Sequence, residues 1–269
     1  MTLPRSAWAI SGAGTLAALH VGAVNALWQH TRPDALIGTS AGSIVSGCLA
    51  TGMTPTHMRQ VVMSADYRKL IPMSPWLAPI RGYLASTSNA RAWLLELTLG
   101  QSMADCEIPF TAISSDLNTG HVQTFGTASH PQMLVADAIL ASMSIPDVFP
   151  AFRGRYVDGG VLCNLGVQYL PKTGKRLALR VTEAHTAGPV TGFIDEQERL
   201  ISMMLSASEF DEVTLARAYA VPVIDLPGGN LGFLNRGMTQ PQKEGLYQAG
   251  YEAAQAWIDS VEGKQWAAQ

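Results

Sequence analysis

The chain has 269 residues, of which 47% are hydrophobic and only 14% are charged. This length and apolar content suffice for one α/β domain, with or without an inserted subdomain. The formal net charge of −3 gives no reason to expect a nucleic acid partner. Three cysteines are too few and too widely spaced for a metal site or a disulfide framework, so we interpret Cys48, Cys106 and Cys163 as reduced thiols.

The N-terminal residues lead into an apolar stretch by Trp8 and do not have the pattern of a cleavable signal peptide. No uninterrupted apolar run is long enough to span a bilayer. Acidic residues are scattered instead of clustered with ligand spacing, so we expect no metal site and no dependence on calcium. The expectation is a cytoplasmic protein that needs no cofactor and contacts membranes only peripherally.

A first strand is predicted at Ala7–Ser11, followed by the loop Gly12-Ala13-Gly14-Thr15 and an amphipathic helix to about Gln29. Together with Ala17, this loop superficially fits the G-x-G-x-x-G/A fingerprint of a dinucleotide site. Such a site needs an acidic residue at the end of the second strand, whereas Asp34 precedes that strand. The loop is better suited to presenting backbone N–H groups to a developing negative charge.

The next segment combines a short strand, a turn and a helix. The apolar run Ala35–Ile37 is followed by Gly38-Thr39-Ser40-Ala41-Gly42 and then by apolar residues at helical spacing. A G-x-S-x-G sequence at such a turn exposes the serine hydroxyl above the sheet, near the positive end of the helix dipole. Ser40 is therefore a candidate nucleophile, and the alternative is a glycine-rich turn whose serine only caps the helix.

The sequence of residues 53–106 predicts helices with no strand between them. Thr54-Pro55 has the pattern of a helix start, and Ala90–Leu99 is a further helix. Between them, residues 67–84 mix basic and apolar side chains with several prolines. We interpret 53–106 as a helical lid or cap inserted in one domain that spans residues 1–269. The segment 67–84 is either a lipid-contacting surface or a loop packed on the core.

The remaining chain predicts more strands and helices. Strands are predicted at Pro109–Ser115, His121–Phe125, Arg155–Val157, Arg176–Thr182 and Val221–Leu226, and helices at Met133–Ala141, about Glu196–Tyr219 and Gln240–Val261. The first two of these strands form a hairpin. The third ends in Asp158-Gly159-Gly160, where two glycines allow a sharp turn and a close approach of another group.

A serine hydroxyl needs a base, and two candidates remain open. Burial would raise the pKa of Asp158 and make it a stronger base, although Asp158 considered alone is better explained as a turn aspartate that bonds its own backbone. Of the six histidines, His185 alone follows a predicted strand closely enough for a Ser40–Asp158–His185 triad. Against that triad, one strand instead of several precedes the serine, and no second acid is placed to orient His185.

Four blocks of the sequence resemble the patatin-like phospholipase family and cover most of residues 8–170. The blocks are Ser11-Gly12-Ala13-Gly14 with His20-Val21-Gly22, Gly38-Thr39-Ser40-Ala41-Gly42, Pro109–Gly120, and Ala141–Gly160 with Asn164. Four blocks in the right order are far more specific than any one of them.

The resemblance implies a three-layer α/β/α sandwich with a mainly parallel central sheet and a serine nucleophile elbow. It implies a dyad in which Ser40 is the nucleophile and Asp158 is the base. The residues whose backbone would form the oxyanion hole are Gly12, Ala13, Gly14 and Thr15. The implied activity is that of a serine lipid acyl hydrolase, of phospholipase A or lysophospholipase type, on a phospholipid or other fatty-acyl ester.

The glycine-rich loop departs from the family's usual G-G-G-x-R-G. Ala13 would cost about 1 kcal/mol if its position needs a positive φ. Leu16 replaces a cation that the resemblance places at the lip of the site, and Cys163 stands where an aspartate is frequent. These departures leave a second alternative, a catalytically weakened protein that keeps the fold and binds lipid or a partner.

Overall fold

The computed structural model describes residues 5–183 and 189–268, and within them a seven-stranded sheet lies between two layers of helices. The strands are β1 (Arg5–Ile10), β2 (Arg32–Thr39), β3 (Phe110–Asp116), β4 (His121–Gly126), β5 (Tyr156–Asp158), β6 (Arg176–Glu183) and β7 (Val223–Gly229). The helices are α1 (Ala18–Leu27), α2 (Ala41–Ala50), α3 (Pro55–Ser64), α4 (Tyr67–Leu70), α5 (Ala78–Arg81), α6 (Ser88–Leu97), α7 (Val135–Ser142), α8 (Phe193–Ala218), α9 (Gln240–Asp259) and α10 (Val261–Ala268). No helix in these two ranges is both long and apolar enough to cross a membrane.

The strand order is β4-β3-β2-β1-β6-β7, and all neighbours are parallel except β4 against β3. Both faces of the sheet are covered, which explains why its inner strands are apolar without alternation. On β1, Trp8 and Ile10 belong to the core shared with α1, α2, α7 and α9. Ala7 and Ala9 belong to the core shared with α8 and residues 163–170. The predicted three-layer sandwich with a mainly parallel sheet is confirmed.

β3 has two different partners along one of its edges. The outer edge of β3 has a single partner, because β4 pairs with all of residues 111–116 there. On the edge toward the centre of the sheet, β2 pairs with residues 110–113 and leaves the sheet after Thr39, opposite Ile113. From Ser114 onward β5 takes this place in antiparallel orientation, and its last residue, Asp158, lies opposite Ser114. The ends of β2 and β5 therefore meet at successive positions along β3.

The segment 53–106 contains two longer helices, α3 and α6, near the positions at which the sequence predicts helices. α3 begins where the Thr54 hydroxyl accepts the N–H of His57 at 3.3 Å, with Pro55 as the first helical residue. Residues 67–84 form only short pieces, namely α4, a 3₁₀ turn at Pro75–Leu77, and α5. Their prolines prevent one continuous helix because each proline removes a backbone donor.

The C-terminal helix differs from the sequence prediction of one helix over Gln240–Val261. The helix ends at Asp259, and α10 follows after a break at Ser260. The Ser260 hydroxyl accepts the N–H of Gly263 at 3.1 Å and so caps the new helix. A Cβ at residue 263 would overlap the Trp257 carbonyl, so this tight turn requires a glycine.

Candidate active site

Ser40 occupies the turn between β2 and α2. Its backbone has φ 50° and ψ −123°, a region that residues with a side chain rarely adopt. The flanking glycines allow the turn: a Cβ on Gly38 would lie 2.6 Å from the Gly42 carbonyl oxygen, and one on Gly42 would overlap the Ile10 carbonyl. The Ser40 side chain forms no helix cap, so the capping interpretation is wrong. The turn has the backbone of a nucleophile elbow.

Two buried serines hold the strained backbone of Ser40. Its N–H donates to the Ser142 hydroxyl at 2.9 Å, and its carbonyl accepts the Ser43 hydroxyl at 2.6 Å. Both serines are completely buried, so these bonds are not exchanged with bulk water. Sequence reasoning missed Ser142, since it lies at the end of α7, about a hundred residues away from the elbow.

Asp158 ends β5 and is buried, with 4% of its surface exposed. Its Oδ1 accepts the N–H of Gly160 at 2.8 Å. A Cβ on Gly159 would overlap the Ile113 carbonyl, so the glycine lets the turn lie directly against β3. The Asp158-Gly159-Gly160 turn therefore holds the carboxylate beside the end of β2.

Burial raises the pKa of the Asp158 carboxyl to about 6, and the Ser40 hydroxyl and the Gly160 N–H oppose part of this rise by hydrogen bonding. The buried Oδ2 nevertheless has no partner of standard hydrogen-bond geometry among the described residues. The Ser40 hydroxyl is thus near enough to stabilise the carboxylate, although no hydrogen bond of standard geometry joins it to Oδ2. One carboxylate oxygen is left able to accept a proton.

The loop after β1 lies against Ser40, since a Cβ built on Gly12 would be 3.2 Å from the Ser40 Cβ. The four amides of the loop are used differently. The Gly12 N–H donates to the Asn164 carbonyl at 3.2 Å and to its Oδ1 at 3.1 Å, and the Thr15 N–H donates to the Phe233 carbonyl at 2.8 Å. The amides of Ala13 and Gly14 have no acceptor in the described part of the chain. Phe233 was not expected from the sequence.

The structure corrects two expectations about this loop. Ala13 has φ −156°, so its side chain carries none of the backbone cost that a positive φ would impose. The residue that needs to be glycine is Gly14, with φ 53° and no room for a Cβ beside the Phe233 carbonyl. Leu16 is completely buried in the core and does not reach the lip of the site.

An apolar pocket extends from the elbow beneath the helices of the segment 53–106. Gly14, Thr15 and Ser40 line the pocket at the site itself. The walls farther from Ser40 come mostly from α2 and from the helical segment, with contributions from other loops. They include Ile44, Val45, Met58, Val62, Leu70, Ile71, Trp93, Leu97, Phe149 and Leu234.

No described histidine lines the pocket that contains Ser40. His20 is completely buried in α1, and burial lowers its pKa to about 3, so its ring is neutral at ordinary pH. His185, the histidine of the alternative Ser40–Asp158–His185 triad, lies outside the described residues.

The residues that the structure describes form neither a metal site nor a dinucleotide site. No group of three or more histidine, cysteine or acidic side chains there could hold a metal ion. Asp34 is exposed near the amino end of β2, whereas the Gly12–Thr15 loop lies at the carboxyl end of β1. A dinucleotide ribose would need both at the same edge of the sheet. The three cysteines are free thiols.

Residues 9–171, more than half of the chain, match the family described as patatin-like phospholipase. The chain therefore belongs to the patatin-like phospholipase family, which supports lipid acyl hydrolase activity and a lipid substrate. A relative in Bacillus subtilis (strain 168), the uncharacterized protein YqhO, is 24% identical over 298 residues, which cover 95% of this chain and 97% of YqhO.

Two solved structures have a similar fold. VipD from Legionella pneumophila matches 94% of this chain with a TM-score of 0.62 and 14% identity. ExoU from the type III secretion system of Pseudomonas aeruginosa, solved with SpcU, matches 96% of it with a TM-score of 0.52 and 15% identity. This chain spans 66% of the VipD chain and 53% of the ExoU chain, and at such identities the likeness shows the fold alone.

The strained backbone at residue 40 predicts a difference between two variants that both lack the hydroxyl. Glycine adopts a positive φ freely, whereas alanine keeps the Cβ that causes the strain. We expect Ser40→Gly to be more stable than Ser40→Ala by about 1 kcal/mol, as measured by urea unfolding. Equal stability, or a less stable glycine variant, would show that the turn is unstrained.

The raised pKa of Asp158 predicts a pH-dependent effect on stability. The folded protein binds this proton more tightly than the unfolded chain, so the stabilisation is complete below about pH 4 and is lost as the pH rises through about 6. We expect Asp158→Asn to raise the free energy of unfolding by up to roughly 3 kcal/mol at pH 8 and to change it little at pH 4. Asp34→Asn, at an exposed carboxylate, is the control and should have similar effects at both pH values.

Proposed function

We propose that this protein is a serine acyl hydrolase of phospholipase A or lysophospholipase type that uses a Ser40–Asp158 dyad. The observation that supports it best is the exchange of β2 for β5 along β3, which brings a strained serine and a buried carboxylate to successive positions. Neither feature helps folding, and both suit a nucleophile and its base. Membership of the family supports the same class of substrate.

In the proposed mechanism, Asp158 accepts the Ser40 proton while the serine oxygen attacks the ester carbonyl. The N–H groups of Ala13 and Gly14 donate to the oxyanion, and each such donor is typically worth about 3 kcal/mol in the transition state. Asp158 then protonates the departing alcohol. In the second half, Asp158 deprotonates a water that attacks the acyl-serine. The bond between the acyl carbon and the Ser40 oxygen then breaks, Asp158 returns the proton to Ser40, and the fatty acid leaves. A pKa of about 6 makes Asp158 a better base than an ordinary aspartate.

The apolar pocket is suited to a fatty-acyl chain because its walls beyond Ser40 are almost entirely aliphatic or aromatic. We propose that residues 53–106 act as a cap that covers this chain. Within the cap, Trp76 and Ile80 are 73% and 83% exposed, and Arg68 and Lys69 are exposed nearby in sequence. Exposed apolar side chains with neighbouring cations favour contact with an anionic lipid surface, so we assign this role to residues 67–84.

The dyad is tested with a panel of phospholipids, lysophospholipids and simple acyl esters on the wild type and three variants. We expect Ser40→Ala and Asp158→Asn to lose activity by about 10³-fold or more, with folding intact, and His185→Ala to stay within about twofold of the wild type. The kcat/KM of the wild type should fall as the pH drops below about 6, where Asp158 becomes protonated.

The same panel separates the alternatives. Abolished turnover in His185→Ala would support the Ser-His-Asp triad in place of the dyad. Absence of turnover in the wild type, together with failure of an organophosphonate to label Ser40, would support a weakened lipid-binding protein.

The membrane contact is tested by replacing Trp76 and Ile80 with serine together. We expect vesicles containing anionic lipid to bind this variant at least about tenfold more weakly, because two exposed apolar side chains no longer enter the lipid. Hydrolysis of a water-soluble acyl ester should be unchanged. Val261→Ser is the control, since Val261 is 73% exposed on α10, a helix whose Trp266 donates to the Arg176 carbonyl at the amino end of β6. Equal vesicle binding by the double variant would contradict the assignment.

A further inference from the structure

A buried carboxylate outside the dyad contacts the segment that follows the Asp158 turn. Glu212, on α8, is only 3% exposed. Its Oε2 accepts the N–H groups of Asn164 and Leu165, both at 2.7 Å, and its Oε1 accepts the N–H of Gly166 at 2.6 Å. The Cys163 thiol lies 3.1 Å from Oε1 and is its fourth donor. Short bonds from backbone N–H groups to a charged acceptor are among the stronger hydrogen bonds in proteins.

The segment held by Glu212 contacts the proposed oxyanion loop in turn. Asn164 gives its backbone N–H to Glu212 and accepts the Gly12 N–H with both its carbonyl and its Oδ1. Gly12 itself lies against Ser40. A series of hydrogen bonds therefore runs from Glu212 through Asn164 to Gly12, and a side chain on Gly12 would meet the Cβ of the proposed nucleophile.

Other residues on the same face of α8 also contact the catalytic turn. The Ser208 hydroxyl donates to the Gly160 carbonyl at 3.3 Å, and the Leu205 side chain leaves no room for a Cβ on Gly160. Leu205, Ser208 and Glu212 are three and four residues apart, which places them on one side of the helix. This face of α8 thus contacts both Gly160 and the segment 163–166.

We propose that Glu212 is a positioning residue for the oxyanion loop, an inference that rests on the function proposed above. Its carboxylate accepts three backbone N–H groups and a thiol, and no other side chain of its length could accept all four. A glutamine would offer one oxygen and turn its NH₂ toward backbone donors. The segment 164–166 would then shift, and the hydrogen bonds from the Gly12 N–H to Asn164 would be broken.

The residue at position 163 is consistent with this role. Burial and the neighbouring Glu212 carboxylate raise the pKa of the Cys163 thiol. The thiol therefore stays protonated and donates a hydrogen bond to the carboxylate. An aspartate at position 163 would place a second negative charge against Glu212. The thiol avoids that repulsion and adds a donor.

The test compares Glu212→Gln with Asp211→Asn, an exposed carboxylate on the same helix and therefore a matched control. Glu212→Gln should lower kcat for a soluble acyl ester about tenfold or more and leave KM within about twofold, because Glu212 does not line the acyl pocket. Asp211→Asn should change neither. A change in KM without a change in kcat, or an unchanged kcat and KM, would overturn the proposal.

A second readout does not depend on activity. Amide hydrogen exchange should become about tenfold faster in residues 11–17 and 160–167 of Glu212→Gln and stay unchanged in the β3–β4 hairpin. Unchanged exchange in residues 11–17 would overturn the positioning role, even if the wild type proved not to hydrolyse esters.

If Glu212→Gln does not fold, Asn164→Ala replaces it, since it removes the Oδ1 bond to Gly12 but keeps the backbone bond to Glu212. We expect this variant to show faster exchange in residues 11–17 and the same loss of kcat, with little change in residues 165–167. If exchange in residues 11–17 matches that of the wild type, Asn164 does not connect Glu212 to the loop and the proposal fails.

Discussion

The site depends on the pairing of β5 with the part of β3 that β2 leaves free. Because β2 turns away at Thr39 and β5 arrives at Asp158 from the opposite direction, two residues far apart in sequence become neighbours along one strand. Backbone hydrogen bonds set this spacing, so it does not depend on flexible side chains. The glycines at 38, 42 and 159 then let the turns pack against the sheet without steric conflict.

Several features of the site work against stability. Ser40 has a strained backbone. Among the described residues, one carboxylate oxygen of Asp158 has no hydrogen bond of standard geometry, and two amides of the glycine-rich loop have no acceptor. The large core on the Trp8 face of the sheet offsets these costs. Local exceptions to good packing and good hydrogen bonding are typical of functional sites, where the surrounding fold keeps an unfavourable arrangement in place.

Two buried carboxylates beside α8 have opposite environments. Asp158 faces a small cavity lined by Ile201, Met204 and Leu205, and this apolar surrounding raises its pKa and leaves it ready to take a proton. Glu212, two turns along the same helix from Leu205, is surrounded by N–H donors. One helix thereby desolvates the proposed base and binds the segment that follows it. Environments that differ in this way allow neighbouring acids to have different roles.

The sequence by itself determined the features that depend on neighbouring residues. The apolar runs predicted the strands, Thr54-Pro55 predicted the start of α3, and the glycines around Ser40 predicted the elbow. The resemblance to the family pointed to Asp158 and to the Gly12–Thr15 loop. Tertiary structure alone decided which amides of that loop lack an acceptor among the described residues, that Leu16 is buried in the core, and that Ser142, Phe233 and Glu212 support the site. Those contacts join residues tens to hundreds of positions apart, and their geometry follows from strand pairing and helix packing, which local sequence patterns do not encode.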